Sequence, residues 1–115
     1  DLYRNSGAHA IAWESRQDGI EGADLIINTT SLGMTGQPPL DLPLDNMKDG
    51  AVVYDIVYTP LITPLLAEAK TRGARIVTGI GMLLHQARPG FAAWYGRTPS
   101  VTPELEAHVL ASSSS

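Results

Sequence analysis

Asp24-Leu25-Ile26-Ile27-Asn28-Thr29-Thr30 is apolar and β-branched without alternation, and it closes on side chains that hydrogen-bond. A short unbroken apolar run of this kind predicts a parallel strand buried on both faces. Ala51-Val52-Val53-Tyr54-Asp55-Ile56-Val57-Tyr58, released by Gly50, repeats the pattern, and Ala74-Arg75-Ile76-Val77-Thr78 gives another strand directly after Gly73. Upstream, His9-Ala10-Ile11-Ala12-Trp13 adds a short stretch of extended character after Gly7.

Thr63-Pro64 opens the clearest helix. The Thr63 hydroxyl can accept from an early amide, and Pro64 stands where its missing N–H is no loss. Leu65, Leu66 and Ala69 form an apolar face, Glu68, Lys70 and Arg72 face water, and Gly73 is a left-handed stop. Gly79-Ile80-Gly81 leads into a second helix, Met82 to about Tyr95, with Leu83, Ala87, Gly90 or Phe91, and Trp94 at helical spacing. Pro89 inside it predicts a kink or a break. Thr102-Pro103 restarts a last helix, Glu104 to Leu110. Ser31 to Asp49 holds Gly33, Gly36, Pro38, Pro39 and Pro43 and reads as a long loop with room for one helical turn. Loops of that length are usually functional or mobile. The order is β, β, loop, β, α, β, α, α, which implies a parallel sheet with helices packed on it. The fold class is α/β, a partial Rossmann-like doubly wound parallel sheet with flanking helices. Residues 1–111 form one unit of it, and Ser112 to Ser115 are expected to be a disordered serine tail.

Composition narrows the function. The chain has 115 residues, room for one modest domain, and 43% hydrophobic against 17% charged residues is ordinary for a globular protein. A net charge of −4 with eight scattered basic residues speaks against nucleic acid, which needs a basic patch. There is no cysteine, which excludes disulfides, thiolate catalysis and cysteine-ligated metal and fits a cytoplasmic protein. No apolar run approaches the roughly 20 residues that span a bilayer. The start, Asp1-Leu2-Tyr3-Arg4-Asn5-Ser6-Gly7, has no signal-peptide character and no initiator Met, so the chain is expected to begin mid-protein.

Asn28-Thr29-Thr30-Ser31 lies at the C-terminal end of a strand, the edge where ligands bind in open α/β sheets. These side chains suit a ribose or phosphate, and they equally suit a strand-end turn. Tyr58 ends another strand, where its phenol can bond a substrate oxygen or cover the core. Gln86 can both donate and accept towards a polyol or carboxylate. Gly79-Ile80-Gly81 begins like a phosphate-cradling loop, but the third glycine position is Leu84 and no acidic strand end follows, so close packing of the helix start fits it better. His9, His85 and His108 lack metal-ligand spacing, so no metal is expected. Asp24 reads as a strand-start residue and Asp55 as a structural polar contact. No nucleophile–base pair appears, so no catalytic residue is expected in this chain.

Four segments together resemble the C-terminal half of shikimate dehydrogenases. They are Asn28-Thr29-Thr30-Ser31-Leu32-Gly33-Met34, Tyr54 through Leu66, Gly79-Ile80-Gly81-Met82-Leu83-Leu84-His85-Gln86, and Phe91-Ala92-Ala93-Trp94-Tyr95-Gly96. Their order and spacing cover roughly residues 8 to 110. The family reduces 3-dehydroshikimate to shikimate with NADPH in aromatic amino-acid biosynthesis. The resemblance implies cofactor contacts for Asn28, Thr29, Thr30, Ser31, Ile56, Gly79 and Met82, and substrate hydrogen bonds for Tyr58 and Gln86. Thr29 stands where the motif commonly has Ala, and Thr78 where an acidic or small residue often precedes the glycine; neither change removes a hydrogen-bonding group.

The same resemblance puts the family's Lys-Asp proton-handling pair, its glycine-rich loop and the basic motif for the 2′-phosphate before Asp1. A proton relay contributes roughly 10²–10⁴-fold, so the chain alone is expected to be inactive. Residues that separate NADP from NAD also lie upstream, which keeps a quinate/shikimate dehydrogenase using NAD as an alternative. A non-catalytic nucleotide-binding or interaction module of the same fold is another. A half-sheet exposes an edge and an apolar face, so self-association is expected.

Overall fold

A computed structural model describes residues 5–113. A 3-10 turn over Trp13–Ser15 runs into a single helical turn, α1 (Arg16–Gly19). Then come β1 (Leu25–Asn28), β2 (Val52–Asp55), α2 (Pro64–Thr71), β3 (Arg75–Val77), α3 (Ile80–Tyr95) and α4 (Pro103–Ser113). The strands are parallel in the order β1-β2-β3, with Asn28 opposite Asp55 and Val53 opposite Ile76. Helix α2 crosses from β2 to β3 and packs on both, so the α/β, Rossmann-like class holds.

Helix α2 begins as its sequence dictates. Thr63 is extended (φ −72°, ψ 163°), its Oγ1 accepts from the Leu66 amide at 3.3 Å, and Pro64 follows. Past its end, Gly73 takes φ +81°, which a side chain would resist. Leu65, Leu66 and Ala69 turn inward to Ile26 and Val53 of the sheet, and Ile20 and Leu44 complete the core.

The structure departs from expectation in six places. His9 to Trp13 forms no strand; Ile11 instead lies against Gly19 of α1, and β1 is left at the sheet edge. The strands are buried on one face only: Ile26 and Asn28 are covered, whereas Leu25 and Ile27 are exposed, because α2 and the loop cover a single side. Pairing in β2 stops at Asp55, short of Tyr58, since the chain turns there. The loop from Ser31 to Asp49 has no helical turn, yet it sends Leu40, Leu42, Leu44 and Met47 to the core in place of a crossover helix. Pro89 does not break α3, which runs on to Gly96 (φ +70°). The carbonyl that Pro89 leaves without its helical donor belongs to His85, which is exposed. Finally, α4 continues through Ser112, whose hydroxyl donates to the His108 carbonyl at 3.0 Å, as far as Ser113. The expected tail at Ser114 and Ser115 lies outside the described residues. Among the described residues no helix is long and apolar enough to cross a membrane.

Candidate functional site

Strands β1 and β2 end in the same way. Asn28 Oδ1 accepts from the Thr30 amide and Asp55 Oδ1 accepts from the Val57 amide, both at 3.0 Å. Each is an Asx-type turn that bends the chain off the sheet. The two turns are joined, because Asn28 Nδ2 donates to Asp55 Oδ1 at 3.2 Å and to the Leu32 carbonyl at 3.1 Å. Thr30 Oγ1 donates to Asn28 Oδ1 at 2.7 Å and accepts from the Leu32 amide at 3.1 Å. Thr63 Oγ1 donates to Asp55 Oδ2 at 2.8 Å. Asn28, Asp55 and Thr63 are all buried, and among the described residues no buried side-chain polar atom lacks a partner.

Above this network lies a hollow of about 350 Å³ at the C-terminal edge of the sheet. Thr29, Thr30, Ser31 and Met34 form one wall, and Ile56, Val57, Tyr58 and Thr59 form the other. A hydrogen bond from the Thr35 amide to the Thr59 carbonyl at 2.8 Å ties the two loops at the rim. Met34, Ile56 and Val57 offer apolar surface to a flat ring, while the hydroxyls of Thr29, Ser31 and Tyr58 offer hydrogen bonds around it. That mixture and size suit part of a cofactor-sized ligand.

Five of the residues singled out from sequence meet here: Thr29, Thr30, Ser31, Ile56 and Tyr58. Asn28 lies beneath them with both amide atoms committed to the turn, so its side chain builds the wall. Gly79 is buried beside the end of β2. A β-carbon there would strike the Ile56 carbonyl and come within 2.9 Å of the Asp55 carbonyl oxygen, so its lack of a side chain lets α3 start against the strand. Met82, half-buried, and Gln86, exposed, follow on α3 and do not line the hollow. Sequence reasoning missed Met34, Val57 and Thr59 as lining residues. The Asx pattern two residues before Val57 was the available signal.

Asp24, at the opposite end of β1, is exposed and pairs with Lys48. The hydrogen bond from Lys48, and then its charge, hold the Asp24 carboxyl below its ordinary 3.8, against a small opposing effect of desolvation. Arg72 meets Asp45 at 3.1 Å and Glu68 at 3.2 Å near the same end. That edge is charged, whereas no charged side chain lines the hollow at the other. Among the described residues no three His, Cys, Asp or Glu side chains gather as metal ligands would.

No family model matches the chain. The shikimate dehydrogenase (NADP(+)) of Paramagnetospirillum magneticum is 55% identical over 100 residues, which is 87% of this chain and 36% of the relative. The chain belongs to the shikimate dehydrogenase family. It matches the C-terminal part of its members and spans about 36% of their length. The solved shikimate 5-dehydrogenase of Thermus thermophilus, in complex with NADP(H) and shikimate, is 31% identical with a TM-score of 0.68, over 86% of this chain and 36% of that one. The quinate dehydrogenase of Corynebacterium glutamicum, in complex with NAD, is 30% identical with a TM-score of 0.75, over 85% of this chain and 34% of that one.

Proposed function

We propose that residues 1–111 are the C-terminal portion, with its closing helices, of the dinucleotide-binding domain of an NADP-dependent shikimate dehydrogenase. The whole enzyme transfers hydride between NADPH and 3-dehydroshikimate. The observation that carries this reading is the hollow at the ends of β1 and β2, which collects Thr29, Thr30, Ser31, Ile56 and Tyr58 from two separate stretches of sequence. Strand ends are where open α/β sheets take their ligands.

NADPH, when bound, would supply the hydride. Thr29, Thr30 and Ser31 line its path by hydroxyl and backbone groups, Ile56 supplies an apolar surface, and Gly79 and Met82 stand at the start of α3 beside it. Asn28 serves the cofactor by shaping the Thr29–Ser31 wall. Tyr58 donates to or accepts from a substrate oxygen. Gln86, exposed on α3, is available to a substrate that sits outside the hollow. No residue of the chain is assigned a proton-transfer step, so the 115 residues alone are expected to be inactive. A cytoplasmic setting and self-association through the open sheet face belong to the same reading.

The test is dehydrogenase activity of the chain extended upstream to its natural start, with shikimate and quinate against NADP and NAD. NADP-dependent turnover of shikimate is the expected result. The likeness to quinate dehydrogenase favours a second reading, quinate oxidation with NAD, which the same assay separates. A well-folded protein inactive on all four pairs would make this a binding module.

A further inference from the structure

We propose that Asp55 is a positioning residue: its carboxyl holds the two walls of the hollow in register and so sets where Tyr58 stands against Thr29 to Ser31. The inference rests on the enzymatic reading above. Asp55 has no exposed surface, and three donors reach it from three parts of the chain. Asn28 Nδ2 comes from the end of β1 at 3.2 Å, the Val57 amide from the wall leading to Tyr58 at 3.0 Å, and Thr63 Oγ1 from the cap of α2 at 2.8 Å. None of the three is basic. A buried carboxyl is costly even when bonded, and apolar side chains of similar volume often stabilise a core as well or better. Core stability is therefore a poor reason for it. Geometry is a better one.

The bonds divide by oxygen. Oδ1 takes both wall donors, Asn28 and Val57, whereas Oδ2 takes only Thr63. Asn28 passes the constraint on, since its own oxygen holds the amide and hydroxyl of Thr30, and Thr30 Oγ1 holds the Leu32 amide. One oxygen atom thus fixes where both walls leave the sheet. Asp55 does not line the hollow and acts only through these neighbours. Reacting groups are sensitive to such placement, because a shift of about 1 Å can cost roughly a hundredfold in rate.

The test compares Asp55→Ala, Asp55→Asn and Thr63→Val in the full-length enzyme, reading kcat, KM and thermal stability of each. Asp55→Ala is expected to lower kcat/KM by roughly tenfold to a hundredfold, mostly in kcat. Asp55→Asn keeps one accepting oxygen for the two walls and should recover most of that loss. Thr63→Val cuts the bond that does not touch the walls, so it should lower the melting temperature and leave the kinetic constants in place. Equal kinetic constants in folded Asp55→Ala and wild type would overturn the proposal. So would an Asp55→Ala protein that cannot be recovered folded where Thr63→Val can, since that assigns the carboxyl to the core. A folded wild type without activity would sink the enzymatic reading itself, and this proposal with it; an active wild type with an unaffected Asp55→Ala sinks the positioning role alone.

Discussion

Helices α2 and α3 were both built from apolar residues at helical spacing, and the structure treats them differently. The shorter, with 8 residues, buries Leu65, Leu66 and Ala69. The longer, with 16 residues, buries only Ile80 and leaves Phe91, Trp94 and Tyr95 exposed, Trp94 at 83%. Helix α2 is pinned between two strands that pair with each other, so its apolar face has a sheet to lie on. Helix α3 leaves the last strand and packs on α4. Apolar content alone therefore says little about burial, and the neighbours an element is given decide it. The same holds for the sheet, whose covered face carries Ile26 and Val53 and whose open face carries Leu25 and Ile27.

The contrast breaks most sharply on truncation. Leu66→Ala should cost about 2–5 kcal/mol, and Leu44→Ala a similar amount, because each side chain is fully enclosed. Trp94→Ala, despite removing more atoms, should stay within about 0.5 kcal/mol in the 115-residue chain. Urea denaturation of the three variants decides it; a Trp94 loss matching that of Leu66 would show that α3 has a partner surface in solution.

Gly79→Ala is expected to come next, at about 1–3 kcal/mol, through the clash with the Ile56 carbonyl. It is also expected to move α3 off the end of β2. Chemical shifts of the Ile56 and Val57 amides would follow that movement, and unchanged shifts would show that the helix start is already loose.

In the full-length enzyme, Gln86→Ala should weaken shikimate by about 1 kcal/mol, roughly fivefold, with less effect on the cofactor. Tyr58→Phe, which removes only a hydroxyl from the wall of the hollow, is its counterpart. Equal losses for both ligands would make Gln86 a support of α3 instead of a substrate contact.

The smallest effect is at the charged edge. The carboxyl of Asp24 titrates below its ordinary 3.8 in the folded chain because of Lys48. A depressed folded value means that the pair's contribution is present above the unfolded value and is lost as pH falls through the folded one. Wild type and Asp24→Asn should therefore differ slightly at neutral pH and converge below about pH 4. The pair is exposed, so added salt should shrink the difference as well. A gap that widens on acidification would contradict the assignment.

Much of the site was legible because its chemistry is local. Thr63-Pro64 forecast a cap that forms, Gly73 a stop that takes positive φ, and Asn28 to Ser31 a polar strand end of which Thr29, Thr30 and Ser31 line a hollow. Asp55 makes polar contacts within the fold, and its three partners lie in segments that only the fold brings together. Leu44 was hidden in a loop rich in glycine and proline, where no period marks an inward side chain. His9 to Trp13 looked like a strand because extended character is local, whereas pairing requires a free edge at the right place.

What the amino-acid sequence determined by itself is the class of the fold, the cap and stop of α2, the absence of a cysteine, and the family. Each depends on residue type and short spacing, which the chain carries wherever it is placed. Tertiary structure decided the rest: which face of each strand is covered, that the loop rather than a helix fills the core, and that Asn28 and Asp55 end up as one hydrogen-bonded pair under the hollow. Those are properties of contacts between distant residues, and their strength depends on what is buried beside them, which no local pattern encodes.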